Sequence, residues 1–198
     1  MEKVKYNLIW SYWRVKSGLK KTTGKEDLKN AVKKFKKEYK EIDAVKRQEK
    51  GILAYHRTHL ILGLAIYNTL KEKYSKEEII DIIHKILWNS FYRTQAHFIA
   101  FIIRKSKDPF NTFLKQLGPK NEWFFPCPPW EKEKVEIENG EGWHQTKCPF
   151  MDFFKEEGLW ELTRAYGDID LLVAALVPNH IELKREKALC WGDGYCDF

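Results

Sequence analysis

Apolar residues recur at helical spacing through the first 118 residues of the chain. Residues 4–16 carry them on one helix face, and residues 26–49 form a very polar helix with only a thin apolar stripe, predicted to end at Gly51. Gly18 and the run Thr22-Thr23-Gly24 predict a break between these two helices. Residues 52–74 are apolar on most faces, which indicates a central helix.

Two more helices are predicted before the character of the sequence changes. Ser75 and Glu78 have the spacing of a capping box, so a helix is expected over residues 76–105. Pro109 suits the first position of a shorter helix that ends near residue 118.

From residue 119 onwards the pattern is mixed. Four prolines crowd a loop rich in Trp and Phe between residues 119 and 130, and this loop is either a cover over a sheet or the lid of a pocket. Alternation over residues 134–138, followed by Asn139-Gly140, predicts a hairpin with residues 143–146. The remaining predicted elements are helices at 149–157, 159–166 and 169–176 and strands at 181–186 and 195–198.

These elements predict an α+β fold. A helical N-terminal half, residues 1–118, is expected to pack on a small antiparallel sheet, and the sheet and further helices belong to residues 119–198. No linker demands two independent domains, so one compact structural unit is expected.

Composition narrows the class of protein. Of the 198 residues, 43% are apolar and 15% aromatic, as in a folded globule. The net charge of +7 comes largely from residues 14–50, where interleaved acids indicate a solvated helix face, so no nucleic-acid partner is expected. The apolar segment 52–67 is broken by His56, Arg57 and His59, so it is not expected to enter a membrane. With no secretory signal visible and the 4 cysteines expected to be reduced, a cytoplasmic protein is predicted.

The cysteine at position 148 is the first candidate for chemistry. Pro149 suits the first turn of a helix, which leaves Cys148 at the N-cap. Free N–H groups and the helix dipole favour an anion there, so the pKa of the thiol is expected to fall. His144, four residues earlier, is a candidate base or second ligand. The alternative is a small buried cysteine that only fills space.

Cys190 and Cys196 lie on either side of a Gly-Asp-Gly turn. With Cys127, Cys148 or His144 they can supply the ligands of a tetrahedral metal site, although the spacing is not that of a zinc knuckle. The other interpretation is separate structural thiols. Whether the protein uses a metal cofactor bound by Cys and His stays open.

Charged residues further along the chain have two interpretations each. Asp168 and Asp170 either cap a short helix or grip an amidinium group, and His180 is either in a surface turn or a base. Arg185 is either a surface ion-pair partner or a bidentate clamp for a substrate carboxylate.

Two further pairs of residues have helical spacing, His56 with His59 and Arg93 with His97. They either line a cavity between helices or are satisfied polar residues.

Several short segments of the C-terminal part occur in the order found in a known family: Cys148-Pro149-Phe150, Phe154-x-x-x-Gly158-x-x-Glu161-Leu162-Thr163, Asp168-Ile169-Asp170, Arg185 and Gly192-Asp193-x-x-Cys196-Asp197-Phe198. Together they resemble the L-2-amino-thiazoline-4-carboxylic acid hydrolase family. The sequence departs from the family pattern at Gly167, where many relatives carry a third cysteine, and in having Cys190.

The resemblance implies a hydrolase that opens a small cyclic amidine. Water adds at the carbon between nitrogen and sulfur, the ring sulfur leaves as a thiolate, and the product is an N-carbamoyl cysteine. On this interpretation Cys148 is the nucleophile or activated thiol and Asp170 holds the amidinium. Arg185 binds the carboxylate and Cys196 supports the site. His144 or His180 serves as the base, a small molecule is the partner, and self-association stays open.

The C-terminal segment from Glu186 to Phe198 is also similar to the small-molecule-binding domain of four-vinyl-reductase-type proteins. That resemblance implies a different class of protein, a non-catalytic sensor or carrier that binds a small molecule or a metal. Hydrolysis of a cyclic amidine, or its absence, separates the two.

Overall fold

Contacts divide the chain into two compact units, Met1–Phe91 and Tyr92–Phe198. The computed structural model describes residues 2–46, 51–117, 120–167 and 169–198. The predicted division between residues 118 and 119 falls on residues outside this described part, and it stays a prediction.

The first unit is helical. Helix α1 (Glu2–Lys46) is broken at Gly24, whose backbone angles (φ 75°, ψ −178°) are outside the range that other residues readily adopt. The break predicted at Gly24 is confirmed, whereas Gly18, also predicted to lie in the break, is helical. Helix α2 (Gly51–Leu70) begins at the glycine that was predicted to end the preceding helix. Helix α3 (Lys76–Leu87) approaches α1 closely, because a Cβ added at Gly18 would lie 2.4 Å from Cγ1 of Ile86.

The capping box that begins α3 is confirmed. The hydroxyl of Ser75 accepts a hydrogen bond from the amide of Glu78 at 3.3 Å, and the Glu78 carboxylate accepts one from the amide of Ser75 at 2.8 Å. The single helix predicted over 76–105 is instead interrupted by a π-helical turn at Trp88–Tyr92.

Short helices form most of the second unit. One of them begins at Pro109 as predicted, where the carboxylate of Asp108 accepts a hydrogen bond from the amide of Asn111 at 3.0 Å. The helices of this unit are α4 (Arg93–Lys105), α5 (Pro109–Gln116), α6 (Pro149–Glu156), α7 (Arg164–Gly167) and α8 (Ile169–Ala175), with short 3₁₀ turns at Trp160–Thr163 and Leu189–Trp191.

Three antiparallel strands complete this unit in the order β1 (Glu131–Val135), β2 (Gly142–Lys147) and β3 (Cys196–Asp197). The pairing of β2 with β3 extends to Trp143 and Phe198, which exchange backbone hydrogen bonds of 3.0 and 2.9 Å. Helices with a small antiparallel sheet make an α+β fold, as predicted.

Two predicted strands differ from the structure. The first strand lies three residues earlier than predicted, because Val135 faces Gly142 and the chain turns over residues 136–141. Residues 181–186, predicted as a strand, have no regular structure. The amide of Glu186 donates to the side chain of Asp197 instead of to a neighbouring strand.

The aromatic loop packs on α6. Trp130 is 2% exposed, and its ring lies 5.5 Å from Phe125 and 5.8 Å from Phe150, between ring centres. Phe150 in turn contacts Tyr166 of α7 at 5.8 Å. The C-terminal end of the loop therefore packs on α6, while Trp123 is 76% exposed. Whether the loop is a cover over the sheet or the lid of a pocket stays a prediction.

Candidate functional site

A buried ion pair between Arg185 and Asp170 is the centre of the candidate site. The guanidinium donates to both carboxylate oxygens, Nη1 to Oδ1 at 3.1 Å and Nη2 to Oδ2. The Arg185 side chain is 2% exposed and that of Asp170 is 17% exposed. Burial lowers the pKa of Arg185, but the charge and hydrogen bonds of Asp170 outweigh it and leave this pKa raised.

Arg185 also joins the elements around the pair. Its Nη1 donates to the carbonyl of Gly167 at the end of α7 (2.7 Å), and its Nε donates to the carbonyl of Asp197 in β3 (3.3 Å). The guanidinium lies 4.3 Å from the ring centre of Phe198. One cation thus connects α7, α8 and the last strand.

The thiol of Cys196 lies beside this cation. Its Sγ accepts a hydrogen bond from the amide of Leu189 at 3.2 Å. Burial raises the pKa of Cys196, while the Leu189 amide and the Arg185 charge oppose that rise. Negative charge on Asp170 and Asp197 adds to it, and the net direction is upward.

Cys148 is the N-cap of α6, as predicted, but its predicted acidity is wrong. Burial raises the pKa of Cys148 to about 11, because the loss of hydration outweighs the nearby amides of Phe150 and Met151. These amides point at the thiol without forming a side-chain cap hydrogen bond. Cys196 lies close enough to raise this pKa further, so the two thiol-bearing segments do meet.

A third thiol, that of Cys190, also lies near Arg185 and is 3% exposed. A Cβ added at Gly167 would lie 2.7 Å from its Sγ. The thiol of residue 190 therefore fills the space that a side chain at residue 167 would need. Its interaction with the Arg185 charge places it in the same cluster.

The two histidines proposed as bases lie elsewhere. His144 is opposite Asp197 in the β2–β3 pairing and stacks on Tyr195 at 4.0 Å. Since side chains alternate along a strand, His144 projects from the face opposite to that of Cys196. His180 is exposed in the turn after α8, where its amide donates to Val177.

Neither imidazole meets Cys148, Cys196 or Asp170 through any contact seen in the described part of the chain, and the base role of His144 or His180 stays a prediction. Asp168 lies outside the described residues.

The other two candidate pairs, His56 with His59 and Arg93 with His97, lie on α2 and α4. His59 is 4% exposed, its Nδ1 lies 3.0 Å from the carbonyl of Tyr55, and burial lowers its pKa to about 4. Arg93 and His97 are exposed on α4. Within residues 2–46, 51–117, 120–167 and 169–198, no three His, Cys, Asp or Glu side chains form a group that could hold a metal ion.

The cluster of Cys148, Asp170, Arg185 and Cys196 coincides with the segments that carry the family resemblance. A family model described as L-2-amino-thiazoline-4-carboxylic acid hydrolase matches residues 54–198. The chain belongs to this family. The match extends well beyond the C-terminal segments and begins within α2. The similarity to the four-vinyl-reductase-type domain stays a prediction.

Comparisons with curated proteins and with solved structures found no further relative. No curated protein and no solved structure gives a significant match to the chain. Among the helices described, none has both the length and the apolar character needed to cross a membrane.

Sequence reasoning missed the role of one residue in the cluster. Asp197 stood in the quoted C-terminal motif without a function, yet it contacts three consecutive residues that include Arg185. An acid between a cysteine and an aromatic residue gives no sign of this in sequence. The contact depends on how the segment before β3 returns to the strand.

Proposed function

We propose that this protein is a hydrolase that opens a small cyclic amidine ring of the thiazoline type. The observation that carries the proposal is that Cys196 lies beside the Arg185–Asp170 pair and that Cys148 lies near Cys196. The substrate of such a reaction carries an amidinium and a carboxylate, which are complementary in charge to the carboxylate of Asp170 and the guanidinium of Arg185. The family assignment supports hydrolysis as the reaction class.

Asp170 is the proposed partner of the amidinium. Its side chain keeps some exposure, while Arg185 behind it is almost completely buried and holds both carboxylate oxygens. A carboxylate fixed in this way presents a ready acceptor to a planar cation. The proposed binding of the substrate carboxylate by Arg185 requires this pair to open.

Cys148 is the proposed nucleophile. With a pKa raised to about 11 its thiol is protonated at neutral pH, and a bound amidinium cation favours the thiolate. The sulfur adds to the carbon between ring nitrogen and ring sulfur, the ring C–S bond breaks, and the proton of the thiol passes to the departing sulfur.

Water completes the cycle. Its oxygen adds to the same carbon and becomes the carbonyl oxygen, and the bond to Cys148 breaks. One proton of the water returns to the cysteine sulfur and the other is released to solvent, because the former ring nitrogen already carries the proton of the amidinium. His144 and His180 have no observed contact with this cluster in the described residues, so neither is assigned to this step. The product is an N-carbamoyl cysteine.

The test is turnover of L-2-amino-thiazoline-4-carboxylic acid, followed by mass spectrometry of the product and by titration of the new thiol. We expect Cys148→Ser to lower kcat by roughly 100-fold or more, since serine is a much weaker nucleophile at neutral pH. Cys127→Ser is the matched control, because Cys127 is an exposed free thiol. An unchanged rate in Cys148→Ser removes this residue from the mechanism, and no turnover by the wild-type protein refutes the proposal.

One observation favours a second candidate, a non-catalytic domain that binds a small molecule or metal. Burial raises the pKa of both Cys148 and Cys196, and the charges of Arg185 and Asp170 already satisfy each other. Such surroundings suit storage or sensing as well as catalysis. Binding of the thiazoline without hydrolysis, measured by calorimetry, selects this candidate.

A further inference from the structure

The segment that carries Arg185 has no regular structure, and Asp197 holds it in place. Oδ1 of Asp197 accepts the amides of Glu186 and Lys187 at 3.0 and 2.8 Å, and Oδ2 lies 3.1 Å from the amide of Glu186. One carboxylate therefore satisfies two successive backbone donors that have no strand partner.

The backbone of Asp197 adds to this hold. Its amide donates to the carbonyl of Lys187 at 3.2 Å, and its carbonyl accepts Nε of Arg185 at 3.3 Å. The side chain sets the backbone that follows Arg185, while the carbonyl contacts the guanidinium itself. Asp197 thus contacts the backbone that follows Arg185 and also the guanidinium at the end of its side chain. The position of Arg185 relative to Asp170 therefore depends on residue 197.

We propose that Asp197 is a positioning residue of the candidate site: its carboxylate fixes the segment at Glu186 and Lys187 so that Arg185 reaches Asp170 and Cys196. The kinetic consequence rests on the proposed hydrolase function. The geometric consequence does not, because Arg185 also influences the thiol of Cys196.

Asp193 provides a matched control. Its Oδ2 accepts the amide of Ala188 at 2.8 Å, which is the same type of bond one residue further along the same segment. A role that is only structural predicts similar effects for Asp193→Ala and Asp197→Ala. A positioning role predicts that Asp197→Ala alone disturbs Arg185.

The first readout is the pH profile of Cys196 alkylation by iodoacetamide, followed by mass spectrometry of the peptide. The charges that face this thiol are Arg185, which lowers its pKa, and Asp170 and Asp197, which raise it to a smaller extent. The thiol of Cys148 also interacts with it, and all variants keep that residue unchanged. Asp197→Asn removes one negative charge but keeps an oxygen for the two amides, so the midpoint moves to lower pH. Asp197→Ala also releases Arg185, so the midpoint moves to higher pH.

The opposite direction of the two shifts is the decisive result, because an anchor that merely stabilised the strand would not reverse sign. Shifts in the same direction, or an equal shift in Asp193→Ala, overturn the proposal. Circular dichroism and melting curves verify that each variant is folded. If Asp197→Ala does not fold, Asp197→Asn still tests the proposal, since a midpoint that stays or rises contradicts it.

The second readout is kinetic. We expect Asp197→Ala to lower kcat/KM about tenfold or more through misplacement of Arg185, and Asp197→Asn to restore part of that loss. In a double-mutant cycle with Asp170→Asn the losses are expected to be non-additive, because both changes act through the same arginine. Additive losses overturn the coupling. Absence of turnover in the wild type refutes the hydrolase, whereas the alkylation profiles still decide the role of Asp197.

Discussion

Removal of the negative charge from the Arg185–Asp170 pair is predicted to destabilise the second unit strongly. The Arg185 side chain is 2% exposed, so it cannot regain hydration when Asp170 is changed to asparagine. Loss of one partner from a buried pair costs about 3–5 kcal/mol of the free energy of unfolding. Two backbone carbonyls still accept from Arg185 in the variant, which places the expected loss near 3 kcal/mol, at the low end of this range.

The assay is urea unfolding followed by tryptophan fluorescence and circular dichroism, together with a thermal melt. A loss of this size lowers Tm by roughly 6–12 °C in a chain of this length. The matched control is Glu131→Gln, which breaks the exposed pair between Lys147 and Glu131, where the side chains are 47% and 61% exposed. We expect that change to cost under about 1 kcal/mol.

A second variant tests the cause of the loss. Combining Asp170→Asn with Arg185→Met removes the buried cation, so the double variant is expected to be more stable than Asp170→Asn alone. A loss in Asp170→Asn no larger than that in the Glu131→Gln control would refute the reasoning. A double variant less stable than either single variant would show that the arginine contributes through packing and backbone contacts instead of through charge.

Two further predictions concern other parts of the chain. Burial raises the pKa of Cys148 from 9.0 to about 11. The neutral thiol therefore contributes stability that is complete below pH 9 and is lost as the pH rises from 9 to 11. In urea unfolding across this window, the free energy of unfolding should fall more steeply with pH in the wild type than in Cys148→Ala. Gly18→Ala should cost about 1–3 kcal/mol by overpacking against Cγ1 and Cδ1 of Ile86. A second change, Ile86→Ala, removes both clashing atoms, so Gly18→Ala should cost less in that background. An equal loss of stability in Gly194→Ala, where the surrounding space is open, would contradict the steric explanation.

Local sequence patterns predicted the elements whose causes are local. The capping box at Ser75, the break at Gly24 and the start of α5 at Pro109 each depend on residues within one helical turn, and the structure confirms them. The α+β class followed from the same patterns.

The errors arose where distant contacts decide. Alternation over residues 181–186 is typical of a strand, but Arg185 is directed to Asp170 and Gly167, and the amide of Glu186 is taken by Asp197. The predicted fall in the pKa of Cys148 considered the helix start and omitted burial, which is not visible from spacing. The mutual pairing of Arg185 with Asp170 could not be foreseen, because each was considered separately as a ligand of the substrate.

The close approach of Cys190 to Gly167 makes these two positions interdependent. A side chain at 167 and a thiol at 190 compete for one volume, so any residue other than glycine at 167 calls for a smaller residue at 190 or a displacement of the turn Leu189–Trp191. Exchange of both positions, Gly167→Cys with Cys190→Gly, would bring sulfur to the same place from α7 instead of from the C-terminal turn. Substitutions at these two sites are therefore best evaluated together, as a sterically coupled pair.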